Sequence, residues 1–160
     1  MAEARSTMSS SAELLFLGGK VRKISLPVIH GRPEPNAPPL KRLLLPQGEL
    51  AQFHSSPEGM RYLAYAELRV GAVRGNHYHK FKEEWLYIIS GEVWLVVEDV
   101  ASRVRDILTL ECGDLVFIPT GVAHALHVKK SGQALEFSPV AFDPGDSYAY
   151  ELDSSPMSGQ

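Results

Sequence analysis

Short apolar stretches separated by turn residues run through most of this 160-residue chain and constrain its fold more than any other feature. Over residues 62–70, every second side chain forms a consistently apolar row, the pattern of a strand with one face buried. Residues 115–118 are apolar throughout and lie between a glycine-aspartate pair and a proline, as expected for a fully buried strand. No long helical periodicity is present. The pattern predicts an all-β sandwich or small barrel, whose closure would also remove exposed strand edges.

The remaining punctuation sets the expected domain organisation. Further strands are predicted over residues 85–89, 93–97, 104–110, 123–128 and 134–142, with turns at 90–91, 129–133 and 143–146. The length suffices for one hydrophobic core and not for two. We expect a barrel over residues 40–152, after a tail and proline-rich arm at 1–39 and before a flexible tail at 153–160. The four prolines between 33 and 39 favour either a plain extended connector or a functional lid.

Composition argues against several classes of protein. The net charge of −3, with no long basic run, argues against nucleic acid as the main partner. The one cysteine, Cys112, excludes a disulfide within the chain and fits a reducing compartment. No apolar run approaches the roughly 18 residues of a membrane span, and the first residues lack the pattern of a signal peptide. We therefore expect a cytoplasmic protein with a small-molecule substrate and no membrane or nucleic-acid partner.

Two glycine-punctuated segments carry the residues that suit metal chemistry. The first has Gly71, five residues, His77-Tyr78-His79, four residues, Glu84, six residues and Gly91. The second has Gly113, five residues, Pro119, one residue, Gly121, two residues and His124. Three imidazoles and one carboxylate suit a catalytic divalent transition metal with open coordination positions.

The alternation of side chains along a strand separates these residues from their neighbours. His77 and His79 fall on one face and Tyr78 on the other. His124 can be a ligand only if His127 points away, and Glu84 only if Glu83 does. By the same rule, Trp85 and Tyr87 face away from the metal. We expect His30, His54 and His127 to be structural or surface residues.

The two segments resemble the two sequence motifs of the cupin superfamily. The departure is Val128, where the family usually has an asparagine four residues after the second-motif histidine. The resemblance implies a cupin-type double-stranded β-helix, also called a jelly-roll barrel. It also implies that His77, His79, Glu84 and His124 bind a divalent transition metal inside that barrel. Iron, manganese, zinc, nickel and copper all remain open, because the sequence does not choose among them.

A finer resemblance concerns the reaction. Residues 74–80 read Arg-Gly-Asn-His-Tyr-His-Lys, and this stretch is similar to one in the nucleotide-sugar ketoisomerases of the superfamily. Residues 142–148 are similar to the acidic, tyrosine-containing end of that group and of related epimerase-like barrels. In those enzymes, paired histidines move protons beside a keto-sugar carbonyl, which implies catalytic roles for His77 and His79. That group often dispenses with metal, so a metal-containing sugar-modifying cupin is the nearer analogue.

Alternatives stay open at this stage. An iron-dependent dioxygenase would use the same ligand types, and a binding module could hold a small ligand or a metal without turnover. Arg74 could pair with a phosphate or carboxylate, or be a solvated turn residue. The aromatic side chains of Trp85, Tyr87 and Trp94 favour barrel packing and an oligomer face over ligand stacking. With the proline-rich arm, they lead us to predict a homodimer by analogy.

Overall fold

The computed structural model describes residues 11–153, most of which lie in strands. The strands are β1 Ala12–Phe16, β2 Val21–Ser25, β3 Val28–His30, β4 Lys41–Leu45, β5 Gly48–Gln52, β6 Tyr62–Leu68, β7 Val73–Tyr78, β8 Glu84–Asp99, β9 Arg105–Glu111, β10 Asp114–Ile118, β11 Val122–Ser138 and β12 Tyr148–Ala149. Within residues 11–153 the helical segments are two short 3-10 turns, Leu17–Gly19 and Pro144–Asp146, and no helix is long and apolar enough to cross a bilayer. The predicted all-β class is confirmed.

Two long strands, β8 and β11, organise the main sheet. They pair antiparallel from Val122 opposite Asp99 to Phe137 opposite Trp85. The sheet order is β1-β2-β10-β8-β11-β7-β12, with β6 also on β11 and β9 also on β8, and β3-β4-β5 form a second, smaller sheet. Each long strand therefore changes its second partner along its length: β8 passes from β10 to β9, and β11 from β7 to β6.

The turns predicted at 90–91 and 129–133 are wrong, because β8 and β11 run through both. The turn-like residues instead mark irregular pairing between the two strands around Lys130 and Gln133. A Cβ on Gly132 would lie 2.0 Å from the carbonyl oxygen of Ser90, so this crossing needs glycine. Turn residues within a strand thus produce a bend, and each long strand exchanges partners there.

The residues before position 40 form two strands of the main sheet as well as the predicted arm. The sequence assigned residues 1–39 to a tail and arm, yet β2 pairs with β10 and extends the main sheet with β1. This segment carries apolar residues for both faces of the sheet: Val21 joins the barrel interior, and Ile24, opposite Leu115, packs on the outer side. The proline-rich stretch itself is a loop between β3 and β4. Residues 1–10 and 154–160, which include most of the predicted tails, lie outside the described residues.

The barrel interior is filled by side chains from alternate positions of the main sheet. Its fully enclosed members include Val93, Leu95 and Val97 on β8 and Leu110 on β9. A second apolar cluster lies on the outer side of the sheet, where Tyr87 stacks on Phe53 with ring centroids 4.5 Å apart. The chain therefore covers Tyr87 with its own residues, which confirms that this side chain faces away from the interior. The predicted homodimer stays a prediction.

The Gly132 crossing can be tested by substitution. Gly132→Ala places a methyl group against the backbone of β8, and we expect the free energy of unfolding to fall by about 2–3 kcal/mol. Gly59→Ala is the matched control, because a Cβ there meets nothing within 4 Å, and its effect should stay within about 0.5 kcal/mol. Urea unfolding of both variants measures the difference. Equal stability of the two variants would refute the close crossing.

Candidate metal and active site

Four predicted ligand residues come together inside the barrel from three parts of the chain. His77 lies at the end of β7, His79 just after it, Glu84 at the start of β8 and His124 on β11. One nitrogen or oxygen from each lies within 4.8 Å of the others. The ring centroid of His77 is 4.7 Å from that of His79 and 4.8 Å from that of His124. His79, Glu84 and His124 are buried, and His77 is half-buried.

Strand pairing brings two of these histidines together. His77 is the direct partner of His124 across β7 and β11, and the register shifts immediately after His124. A Cβ on Gly75 would lie 2.7 Å from the carbonyl oxygen of His124, so glycine permits this close approach. The two imidazoles therefore project from neighbouring strands toward the same point.

Hydrogen bonds orient two of the imidazoles. Nδ1 of His79 lies 2.6 Å from the carbonyl oxygen of Asp146, and Nδ1 of His124 lies 3.1 Å from that of Val122. A carbonyl only accepts, so each Nδ1 carries the proton and each Nε2 faces inward. Both Nε2 atoms meet Glu84, at 3.1 Å from Oε1 for His79 and 2.7 Å from Oε2 for His124.

The titratable groups of this cluster shift one another's pKa values. Burial lowers the pKa of His124, but the Glu84 carboxylate more than offsets it, and the net pKa is raised. Burial likewise opposes ionisation of Glu84, yet His124 and His79 hold its pKa well below its usual range. Burial, together with the neighbouring His124, lowers the pKa of His77 to about 4. His77 is therefore neutral near pH 7 and has a free lone pair.

The donor set fits a transition-metal ion. Imidazole nitrogen and carboxylate oxygen bind such ions at about 2.0–2.2 Å, so donors on one ion lie up to about 4.4 Å apart. The observed spread of 4.8 Å is close to that requirement. Two Nε2 atoms that point at carboxylate oxygens also need a cation between them, either protons or a metal ion. Backbone carbonyls behind His79 and His124 are the partners that orient metal-binding histidines in proteins.

Comparison with known proteins assigns the family. A family model described as a cupin domain matches residues 64–143, which is half of the chain. The chain belongs to the cupin family. A search of curated proteins finds no match.

Solved structures of sugar-modifying enzymes share this cupin's fold. The dTDP-6-deoxy-D-glucose-3,5-epimerase RmlC of Legionella pneumophila matches with a TM-score of 0.68 at 13% identity, over 88% of this chain and 77% of that one. NovW of Streptomyces spheroides, a 4-keto-6-deoxy sugar epimerase, matches at 0.67 and 15% identity, over 92% and 77%. A 3,4-ketoisomerase from Helicobacter canadensis matches at 0.60 and 17% identity, over 68% and 84%. At these identities the likeness establishes the fold, and it confirms the predicted cupin-type jelly-roll barrel.

A cavity of about 350 Å³ opens next to the metal-site candidates of this cupin. One side is polar and includes His77, Glu84 and His124, whereas His79 lies outside the lining. The apolar lining residues are Ala66, Leu68, Val73, Leu86, Ile118 and Leu126. The space accommodates a small molecule or the sugar end of a larger one. The proline-rich loop contributes no lining residue.

The neighbours of the proposed ligands face the directions that the alternation of side chains along a strand predicts. The Nε2 atom of His127 lies 3.1 Å from the carbonyl oxygen of Leu152, on the side of β11 away from His124. Tyr78 packs against Tyr148 at 5.2 Å between ring centroids, outside the cluster. Glu83 lies with Trp85 along a separate groove. The predicted separation of His124 from His127 and of Glu84 from Glu83 is confirmed.

Two charged residues of the site, Lys82 and Glu136, were missed from the sequence. Lys82 Nζ is 3.0 Å from Glu84 Oε1 and 3.7 Å from Glu136 Oε1. Burial, with the adjacent Glu84 carboxylate, raises the pKa of Glu136 to about 7. Lys82 had a signal in its position two residues before Glu84, although it lies in the loop that leads into β8. Glu136 had none, because the predicted turn at 129–133 separated it from His124.

Asp146 holds the loop between the two halves of the first motif. Its carboxylate accepts backbone N–H groups from Lys80, Phe81 and Lys82 at 2.8–3.2 Å, while its carbonyl faces His79. Burial raises the pKa of Asp146, but these N–H donors outweigh it and the net pKa is lowered. The turn predicted at 143–146 is confirmed, and its last residue fixes both the loop and one imidazole.

Asp146→Asn tests this arrangement. The amide cannot accept all of these N–H groups, and we expect a loss of about 1–3 kcal/mol in unfolding free energy at pH 7. Because the folded pKa of Asp146 lies below its usual 3.8, its contribution is present above that pH and is lost as the pH falls through the folded value. The gap between wild type and variant should therefore close toward pH 2. Denaturant unfolding at both pH values measures it, and a gap independent of pH would contradict the assignment.

Proposed function

We propose that this cupin binds one divalent transition metal through His77, His79, Glu84 and His124. We further propose that it acts as an isomerase or epimerase on a keto-sugar or similar oxo compound, moving a proton beside the carbonyl. The main support for this proposal is the convergence of the four donor atoms beside a cavity that admits a sugar-sized ligand. The shared fold with sugar epimerases and a ketoisomerase supports the substrate class.

The ligand residues define the polar side of the proposed active site. When bound, the metal ion supplies Lewis-acid stabilisation of negative charge on the carbonyl oxygen. His77, neutral near pH 7, faces both the cluster and the cavity. The apolar side chains opposite limit the water that reaches a bound substrate.

Proton transfer requires a group whose lone pair is not committed to the metal. The sequence predicted catalytic roles for His77 and His79. Both roles stay predictions, and we propose that the two residues act by binding the metal. Glu136 is the lining carboxylate outside the ligand set, and its side chain keeps partial access to solvent. We assign proton movement beside the carbonyl to Glu136 Oε atoms because of this position.

Metal binding is tested with a pair of histidine variants on one strand. Protein purified without added metal should contain one equivalent of a transition metal by elemental analysis. Mutation of a residue that only hydrogen-bonds to a metal ligand typically lowers metal affinity by about 10–100-fold. His124→Ala removes a ligand itself and should therefore lower metal affinity by more than about 100-fold. His127→Ala, on the opposite face of β11, should keep wild-type metal content. Equal metal content in the two variants would exclude His124 as a ligand.

The reaction is tested by isotope exchange. Metal-loaded protein is incubated with nucleotide-linked 4-keto-6-deoxy sugars in deuterated water, and mass spectrometry follows deuterium at carbons beside the carbonyl. We expect exchange, reduced by about 10²–10⁴-fold in Glu136→Gln. Absence of exchange in the metal-loaded wild type counts against the isomerase.

The same donor set keeps iron-dependent oxygen chemistry as the second candidate. Three imidazoles and one carboxylate beside an apolar wall suit a small aromatic or dicarbonyl substrate. Iron as the resident metal, with oxygen uptake and no deuterium exchange, would favour a dioxygenase over the isomerase. Metal without either activity would favour a binding module. The homodimer, the cytoplasmic location and the absence of nucleic-acid partners stay predictions.

A further inference from the structure

Lys82 is a buried cation within the proposed metal site. Its side chain is only 5% exposed, and Nζ lies 4.1 Å from the ring centroid of Tyr62. Its charged partners are Glu84 Oε1 at 3.0 Å and Glu136 Oε1 at 3.7 Å. Buried lysines are rare and need such partners. A second cation so close to a ligand carboxylate calls for a role beyond filling space.

The two oxygens of Glu84 have different surroundings. Oε1 accepts a hydrogen bond from Lys82 at 3.0 Å and also lies 3.1 Å from His79 Nε2, whereas Oε2 faces His124 Nε2 at 2.7 Å. An ammonium group has three donors and no lone pair, so it cannot bind a metal and repels any cation near Oε1. Both oxygens therefore face an imidazole of the cluster, and Oε1 carries the ammonium group as well. An ion held by the imidazoles meets less repulsion at Oε2 than at Oε1.

The backbone around Lys82 is fixed on both sides. Its N–H donates to Asp146 Oδ2 at 2.9 Å, and two residues later Glu84 enters β8. Lys82 and Glu84 thus lie on the same side of the chain, and the contact between them cannot drift far. Asp146 holds the backbone of Lys80 in the same way, but the Lys80 side chain is exposed and lies over the ring of Tyr148 at 4.3 Å, so burial distinguishes the two lysines.

We propose that Lys82 acts as a positioning residue that restricts Glu84 to binding the metal through Oε2 alone. Carboxylates bind ions through one oxygen or both. One-oxygen binding would leave a coordination position that a substrate oxygen could take. This inference rests on the proposed metal site and deepens it, because it explains how four protein ligands leave room for a substrate.

The test is the coordination number of Co²⁺ in Lys82→Met. Methionine keeps the length of the side chain and removes the donor. X-ray absorption and the visible d–d bands of the Co²⁺-loaded protein report the number of ligands. Wild type and the matched control Lys80→Met should give the same coordination number. Lys82→Met should show one additional oxygen ligand and weaker d–d absorption, because both oxygens of Glu84 become available.

A second variant covers the case in which Lys82→Met does not fold. Lys82→Met with Glu136→Gln removes one positive and one negative charge together, and it should show the same added ligand. Identical Co²⁺ spectra in wild type and in a folded Lys82 variant would overturn the inference and leave the metal site intact. Failure of wild type to bind stoichiometric Co²⁺ would instead overturn the proposed function itself.

Discussion

The full-length pairing of β8 with β11 is the constraint on which the rest of the structure depends. His124 pairs near one end of this ribbon and Glu136 near the other, about 40 Å apart if the strand were flat. Yet His124 Nε2 touches Glu84, which stands two residues before Leu86, the partner of Glu136 across the ribbon. The paired strands must therefore curl round the barrel until their ends meet across its interior. The site exists because the sheet closes.

Closure also creates the electrostatic problem that the site solves. It brings Glu84 and Glu136 into the interior with Lys82 and the three histidines. Buried charges are stable only when they are paired and hydrogen-bonded. The carbonyls of Val122 and Asp146 fix which nitrogen of His124 and of His79 faces inward, so both Nε2 atoms point toward Glu84. Lys82 offsets one of the two carboxylate charges, and protons on the histidines or a metal ion would offset the other.

The sequence predicted much of the fold and the four converging residues, for a definite reason. Side chains alternate between the two faces of any strand. The sequence alone therefore predicts that His124 and His127 face opposite ways, and that Glu84 and Glu83 do so too. Turn-forming residues misled the prediction at two places, because glycine and polar residues that end a strand elsewhere only bend β8 and β11. The sequence prediction also missed β1 and β2 as parts of the main sheet, since strands of five residues carry little local signal.

The residue types and spacing of the two motifs were thus set by the sequence alone, as were the faces on which their side chains lie. Only the tertiary structure decided that Glu136 faces the cavity, that Lys82 pairs with Glu84, and that Asp146 holds His79 through its carbonyl. These contacts join residues distant along the chain or run through backbone atoms. Local periodicity carries no information on either, because each depends on how the closed sheet brings strand ends together.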